Sequence, residues 1–221
     1  MKNYMIKKAV KPVNFAALLS SGVWDDANVA KIDNFREESS CHHPETTLRM
    51  LYNNDGIFGR FEVKDRYVRC VAEKFQDPVC LDSCVELFIE PAGNNGYINF
   101  EFSGAGVFLS SHIKDSRRTA GGFADYRMLT GEDAAGIVCA STLPRKTDPE
   151  ITDDLTWELG FFLPFTVFER LGFAAPESQS IWRGNFFKCG DKTSHPHWAS
   201  WNPVDELNFH LPRCFSEIIF E

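Results

Sequence analysis

The residues best suited to chemistry lie on two strand-like runs within residues 82–103, which a Gly/Asn-rich loop joins. Apolar and polar side chains alternate along both runs, and a period of two sends neighbouring residues to opposite faces of a sheet. One face is an apolar wall for a core, and the other gathers Glu86, Tyr97, Asn99 and Glu101 into one patch. Carboxylates and an amide at fixed positions suit a hydroxyl-rich ligand, because they accept and donate several hydrogen bonds. The alternative is the solvated outer face of a half-exposed sheet.

A second distinctive stretch, residues 195–210, is rich in tryptophan, histidine and proline. Trp198, Trp201 and Phe209 fall in it among few residues that would build a strand. Large aromatic side chains on a long loop either pin the loop to the core or present a flat face to a ligand. An aromatic face carries a negative quadrupole that stacks well on the C–H patches of a sugar ring. Both interpretations stay open for this stretch.

Hairpins and strands are the elements that must position these residues. Residues 53–56, Asn-Asn-Asp-Gly, separate two strand-like runs and are a strong hairpin signal. Only residues 165–171 show the i, i+3, i+6 apolar spacing of a short helix. Since strands do not alternate with long helices, a doubly wound α/β sheet is excluded. The sequence therefore predicts an all-β fold, a single-domain antiparallel β-sandwich of immunoglobulin or jelly-roll type over residues 1–221 with one short helix.

Three segments outside the main strands complete this prediction. Residues 1–22 are expected to form a leading strand or arm, and residues 191–211 a long loop. Residues 115–122 are expected to form a loop whose Arg117 and Arg118 are solvated, as isolated charges on a surface usually are.

Composition and charge narrow the function classes. The chain has 221 residues and a formal net charge of −8, which argues against nucleic acid and anionic membranes as partners. No run approaches the roughly 20 apolar residues of a membrane helix, and the N-terminus lacks the apolar core of a secretory signal. Seven cysteines occur at irregular spacing without a CxxC pair. The simple expectation is a reduced, cytoplasmic chain without a zinc ribbon.

Several motifs, in order, give the chain a family resemblance. They are TLRMLY, NNDG, IFGRFEVKD, DSCVELFIEP, YINFEF, WELGFFLPF, NFFKCGD, PHWASWNP and FHLPRCF, and they run from about residue 46 to the end. In this set and order the chain resembles carbohydrate-binding module family 9 and its free-standing relatives. No single motif is specific, whereas the combination is.

The resemblance implies a β-sandwich that binds a mono- or oligosaccharide, in the best-known members at a chain end. Those modules hold the sugar between two aromatic rings and fix its hydroxyls with charged and amide side chains. By this resemblance the sugar-binding residues are Glu86, Asn99 and Glu101, with Phe209 as one stacking ring and Trp201 as its neighbour. It also implies an association with polysaccharide metabolism and a glycoside hydrolase as a partner, since such modules travel attached to these enzymes.

The sequence departs from the family pattern in two ways. Cys80 stands where the modules have their other stacking ring, and Asn99 and Glu101 replace basic and amide residues. Tyr97 and Trp198 are the candidates for a replacement ring. Some members carry structural calcium, for which this sequence offers no assignable ligands, so no cofactor is expected.

Other functions are weighed against sugar binding. Two carboxylates among Glu86, Glu101 and Asp82 would suffice for a small glycoside hydrolase, which needs an acid and a base or nucleophile. We expect binding rather than catalysis and assign no catalytic residue. The histidines of residues 41–43 and 195–197 fit no standard zinc spacing, so no metal site is assigned. A third alternative is an interaction module whose aromatics are all internal.

Overall fold

The computed structural model describes residues 2–10 and 18–221, so part of the predicted N-terminal arm lies outside the described residues. Within them, alternating apolar and polar residues form strands, as the sequence predicts. The strands are β1 (Tyr4–Lys8), β2 (Val29–Ile32), β3 (Asn34–Phe35), β4 (Glu45–Tyr52), β5 (Gly56–Asp65), β6 (Val68–Cys70), β7 (Cys84–Glu90), β8 (Tyr97–Ser103), β9 (Phe108–Thr119), β10 (Gly122–Met128), β11 (Val138–Ser141), β12 (Thr147–Ile151), β13 (Leu155–Pro164), β14 (Ile181–Cys189), β15 (Trp198–Ser200) and β16 (Ser216–Phe220). A single α-helix in this part of the chain, α1 (Phe165–Arg170), confirms the predicted short helix.

The strands form two layers that share one strand. The first layer runs in the order β10-β9-β8-β7-β14-β16-β1 and the second in the order β1-β4-β5-β13-β11. Antiparallel pairing dominates, but β1 pairs in parallel with both β16 and β4, which makes the sheet mixed. Because β1 changes partner along its length, it ties the two layers together. The predicted jelly-roll-like β-sandwich is confirmed, with these parallel pairings as the difference.

The core lies between the two layers. The apolar face of β7 and β8 contributes Leu87 and Phe102, and the second layer contributes Phe61 and Phe161, all without exposed surface. The rings of Phe102 and Phe161 stack across the sandwich with centroids 5.3 Å apart. The alternation in the sequence thus identifies correctly which face of these strands is internal.

The opposite face of β7 and β8 is covered as well. Glu86, Asn99 and Glu101 are only 3 %, 2 % and 7 % exposed. A second apolar cluster, to which Leu211 and Phe215 belong, packs over the neighbouring Phe88 and Tyr97 on this face. The alternative interpretation of a solvated outer face is therefore wrong, because the segment after β15 folds back over the sheet.

Two segments that the sequence places in loops contribute strands. Residues 115–122, expected to be a solvated loop, form the end of β9 and the turn into β10, with Thr119 opposite Gly122. Gly122 has a φ of +119°, which favours glycine in this turn. Within residues 191–211, β15 pairs with the end of β14 and brings Trp198 opposite Cys189.

Candidate functional site

A cleft of about 300 Å³ opens on the covered face of the first layer, beside the ends of β7, β8 and β14. The carboxyls of Glu86, Glu101 and Asp191 border it together with the aromatic rings of Trp198 and Phe209. This volume is at the lower end of the range for small-molecule sites. Of the five sequence-predicted site residues, the cleft brings together Glu86, Glu101 and Phe209.

The floor of the cleft is a pair of carboxyls. Glu86 on β7 lies directly opposite Glu101 on β8, and directly opposed residues of paired strands point to the same face. Burial raises the pKa of Glu86 well above its usual range, and the charge of Glu101 raises it further. Burial likewise raises the pKa of Glu101 to about 7, against the hydrogen bond from Asn99. At neutral pH this pair holds at least one proton, so it can both donate and accept hydrogen bonds.

Asn99 lies beneath this floor rather than in the cleft. Its Nδ2 donates to Glu101 Oε1 at 2.7 Å, and its Oδ1 accepts from the Ser111 backbone N–H at 2.6 Å. Both ends of the amide are engaged by the protein, so Asn99 orients Glu101 instead of offering itself to a ligand.

Two aromatic rings form the walls of the cleft. Phe209 stacks on Phe187 of β14 with ring centroids 4.1 Å apart and an interplanar angle of 13°. Trp198 is held by its indole Nε1–H, which donates to Asp191 Oδ1 at 2.8 Å. Both rings are partly exposed, as a stacking surface requires.

Of the two candidates for the replacement ring, the cleft contains Trp198 and not Tyr97. The hydroxyl of Tyr97 is 2.8 Å from His210 Nδ1, and its ring is buried at 2 % exposure. Tyr97 therefore supports the cleft from below.

Trp201 lies in the core and does not border the cleft. Its ring stacks on Phe186 at 4.7 Å and meets Tyr4 edge-on at 6.2 Å, and the residue is 2 % exposed. Trp198 and Trp201 are three residues apart in the sequence, so composition alone does not show which of them faces a ligand.

Arg118 is exposed, as the sequence predicts, and it also borders the cleft. Arg118 places its guanidinium 4.1 Å from the centre of the Phe123 ring, beside the carboxyls. The β9–β10 hairpin that carries it has register shifts around Asp125. Such bulges interrupt the alternation of side chains between the two faces of the sheet. The period of two along β9 therefore does not predict that Arg118 borders the cleft.

Asp82 lies outside the cleft. Its carboxylate accepts from the backbone N–H groups of Val71 and Ala72 at 2.9 Å and from Ser103 Oγ at 3.0 Å, which fixes a loop. Of the three carboxylates considered for a glycoside hydrolase, only Glu86 and Glu101 meet.

Two thiols adjoin the carboxyl floor. Cys84 and Cys189 are directly opposed on β7 and β14. Cys189 Sγ lies 3.2 Å and Cys84 Sγ 3.9 Å from Glu86 Oε1, and Cys80 borders the same cleft. Burial raises the pKa of the Cys84 thiol to about 12. No sequence spacing links these cysteines, because the pairing of β7 with β14 brings them together over more than 100 residues.

The two histidine segments considered for a metal site, residues 41–43 and 195–197, also lie close together, outside the cleft. The His42 ring lies 6.4 Å from that of His195 and 5.2 Å from that of His197. The ring nitrogens of His197 are both engaged, by Lys188 Nζ at 2.7 Å and by the His195 carbonyl at 2.9 Å. His42 Nε2 lies 2.7 Å from Asp65 Oδ1. Protein groups thus occupy both ring nitrogens of His197 and Nε2 of His42.

Three solved structures share this fold. A crystal structure from Bacteroides uniformis, named provisionally as a carbohydrate-binding protein, is 27 % identical with a TM-score of 0.87, covering 100 % of this chain and 99 % of that one. A carbohydrate-binding module of family 9 from Caldicellulosiruptor kristjanssonii, in complex with glucose, is 8 % identical with a TM-score of 0.66 over 100 % of this chain and 96 % of that one. The same organism's module in complex with cellotriose is 10 % identical with a TM-score of 0.64, covering 100 % and 94 %. At these low identities the two modules show a shared fold.

One relative bears on location. A protein of Arthroderma benhamiae described as an extracellular protein is 26 % identical over 186 residues, which are 80 % of this chain and 79 % of the relative. Among the described residues, no helix has the length and apolar character to cross a membrane. The expectation of a cytoplasmic chain finds no support in this relative.

The family itself is shown by sequence. The profile of carbohydrate-binding family 9 matches residues 21–220, which is nearly the whole chain. The motifs that carried the resemblance lie within this match, and the β-sandwich agrees with it. The chain therefore belongs to carbohydrate-binding family 9.

Proposed function

We propose that the cleft binds a single terminal unit of a mono- or oligosaccharide without cleaving it. The observation that carries this proposal is the buried pair Glu86–Glu101 between the partly exposed rings of Trp198 and Phe209. A sugar has hydroxyls at its edge and C–H groups on its faces, and this arrangement matches both. The small volume of about 300 Å³ favours a terminal unit over the middle of a long chain.

In this proposal the carboxyls of Glu86 and Glu101 form hydrogen bonds with the hydroxyls of the sugar. Glu101 is oriented by Asn99, and Glu86 lies opposite it, so vicinal hydroxyls meet oxygens at fixed positions. Arg118 and Asp191 add a donor and an acceptor at the rim. Hydrogen bonds to groups that carry charge are the stronger ones, which favours a ligand rich in hydroxyls over an apolar ligand of the same size.

The solved family 9 modules suggest the sugar class. Their bound ligands are glucose and cellotriose. We propose a glucose-type ring for this chain as well, with Trp198 in the role of the ring that Cys80 does not supply. By extension, a role in polysaccharide metabolism beside a glycoside hydrolase is proposed, and co-elution with such an enzyme from the same organism would support it.

The test is calorimetric titration with glucose, cellotriose and their reduced alditols. We expect saturable binding of one or both sugars, and loss of binding on reduction if the closed ring at the reducing end is recognised. Phe209→Ala and Glu101→Gln should each weaken binding by roughly five- to thirtyfold, because each removes about 1–2 kcal/mol of contact.

Two variants serve as matched controls. Glu90→Gln changes a carboxyl on the same strand that pairs with Arg183 outside the cleft, and Phe75→Ala removes a ring that packs on Phe108. Both should keep the affinity. An equal loss of sugar affinity in Phe75→Ala and Phe209→Ala would contradict the proposed site. Release of products from cellotriose by the wild-type protein, but not by Glu86→Gln, would favour the hydrolase.

A further inference from the structure

The thiols of Cys84 and Cys189 form, with Glu86, a cluster that sugar binding leaves unexplained. We propose that these three side chains hold one thiophilic divalent cation, of which zinc is the type, at the inner wall of the cleft. The inference concerns the chain's own donor atoms and does not rest on the identity or even the binding of a sugar.

The separations of the donor atoms fit a tetrahedral ion. Zinc bonds of about 2.3 Å to sulfur and about 2.0 Å to oxygen place a sulfur and an oxygen ligand about 3.5 Å apart. Glu86 Oε1 lies 3.2 Å from Cys189 Sγ and 3.9 Å from Cys84 Sγ. All three donor atoms lie within 4.8 Å of one another, so small side-chain shifts bring them around one ion.

The sheet holds these donors in place. Cys84 and Glu86 are two residues apart on β7 and share a face, and Cys189 stands opposite Cys84 on β14. Hydrogen-bonded strands fix all three positions, so an ion needs no loop to close over it. Preorganised ligands lose little conformational entropy on binding.

The surroundings of Glu86 give an independent reason. Glu86 is 3 % exposed, and within residues 2–10 and 18–221 the hydrogen bonds to its carboxyl oxygens come from the two thiols. A thiol is a weak donor, so the carboxyl is poorly satisfied for so buried a group. A cation that takes the place of the thiol protons would satisfy the carboxyl and both sulfurs at once.

The donor set selects the kind of ion. Two thiolates and a carboxylate favour zinc over calcium or magnesium, which prefer oxygen ligands. Three protein ligands leave a fourth position for water. Cys80 borders the same cleft but lies outside the group of donor atoms within 4.8 Å of one another.

The test uses the whole chain, reduced and freed of metal by a chelator. Titration with Co²⁺ should give an ultraviolet thiolate-to-cobalt charge-transfer band that saturates at one equivalent per chain. Its intensity should correspond to two thiolates, Zn²⁺ should displace it, and excess Ca²⁺ should not. No band at one equivalent, or its displacement by Ca²⁺, would overturn the proposal.

Variants assign the ligands. Cys84→Ser and Cys189→Ser should each lower the band at saturating Co²⁺ to the intensity of one thiolate and weaken Zn²⁺ binding by more than about 100-fold, since removal even of outer groups costs 10–100-fold. Glu86→Gln, which keeps the shape of the side chain, should weaken Zn²⁺ binding as well. Cys139→Ser removes a thiol on β11 away from the cluster and should change nothing.

An undiminished band in Cys189→Ser, or an equal reduction in Cys139→Ser, would contradict the assignment. The wild-type spectrum requires no variant, so the test survives if a serine variant fails to fold. A band without sugar binding would leave the metal site standing alone, and sugar binding without a band would remove only the metal site.

Discussion

At the residue scale, Asn99 shows that a side chain can serve the cleft without bordering it. The residue lies on the predicted face of β8, yet both ends of its amide are engaged, by Glu101 and by the Ser111 backbone N–H. The donor end fixes the carboxyl that the cleft presents. The acceptor end ties β8 to β9, so the orientation of Glu101 depends on the pairing of these strands.

This arrangement predicts that Asn99→Ala weakens sugar binding by roughly tenfold, because Glu101 loses the donor that orients it. Thermal stability should fall too, since a buried backbone N–H is left without its partner. Calorimetric titration and a thermal melt measure the two effects. Ser110→Ala is the control, because the Ser110 hydroxyl donates to the backbone carbonyl of Asn99 at 2.7 Å and not to its side-chain amide. Ser110→Ala should lower stability while the affinity is kept, and a matching loss of affinity would contradict the orienting role of Asn99.

At the scale of elements, adjacent residues of β14 contribute to opposite faces of the first layer. Cys189 borders the cleft, whereas Lys188 points into the sandwich without exposed surface. Lys188 Nζ lies 3.6 Å from Asp65 Oδ2 and 2.7 Å from His197 Nε2. Since a buried charge is costly without partners, this cluster fixes the end of β14 that carries the cleft residues.

The same cluster predicts how stability depends on pH. His197 donates through Nδ1 to the His195 carbonyl and accepts at Nε2 from Lys188, so it is neutral. Burial, followed by the Lys188 charge, lowers its pKa to about 3. In the unfolded chain His197 takes up a proton near pH 6.5. The contribution of the neutral His197 to stability is therefore complete above that pH and is lost as pH falls toward 3. His112 and His210 act with the same sign.

Chemical denaturation between pH 4 and 7 measures this effect. The buried histidines lower the free energy of unfolding as pH falls, whereas the raised pKa values of Glu86 and Glu101 act in the opposite direction. The comparison of variant with wild type isolates the histidine, and His197→Gln should lower the slope of the free energy of unfolding against pH by up to about 1.4 kcal/mol per pH unit, which corresponds to one proton. His43→Gln, which replaces an exposed histidine that stacks on Phe35, serves as the matched control. An unchanged slope in His197→Gln would mean that the ring is protonated equally in both states.

At the scale of the whole molecule, the sandwich assigns opposite roles to two aromatics of one segment. Trp201 belongs to the core between the layers, against Phe186 and Tyr4, whereas Phe209 borders the cleft. The core therefore depends on a residue that the sequence places beside the ligand.

Trp201→Ala should destabilise the fold by roughly 3–5 kcal/mol, as large-to-small changes of core aromatics do, while the folded protein keeps its sugar affinity. Phe209→Ala should do the reverse, with a small loss of stability and a large loss of affinity. Denaturation and calorimetry on both variants separate the two roles. Reduced affinity in Trp201→Ala under conditions where it is fully folded would place Trp201 in the site after all.

Much of the fold follows from local patterns. The alternation along β7, β8 and β13 identifies their internal faces, and residues 53–56 mark the turn between β4 and β5. The spacing from residue 165 onward predicts α1. These features depend on neighbours in the chain, which is why they are readable there.

The sequence by itself determined the β-sandwich, its apolar faces and the presence of a polar pair on the opposite face of β7 and β8. Only the tertiary structure decided that this face is covered, that Trp198 rather than Trp201 borders the cleft, and that Arg118 reaches it past the bulges of β9. Only the tertiary structure shows that Cys84 and Cys189 lie opposite each other on β7 and β14. Side-chain alternation is a local property, whereas strand order and the folding back of a loop depend on pairings across more than 100 residues that no spacing encodes.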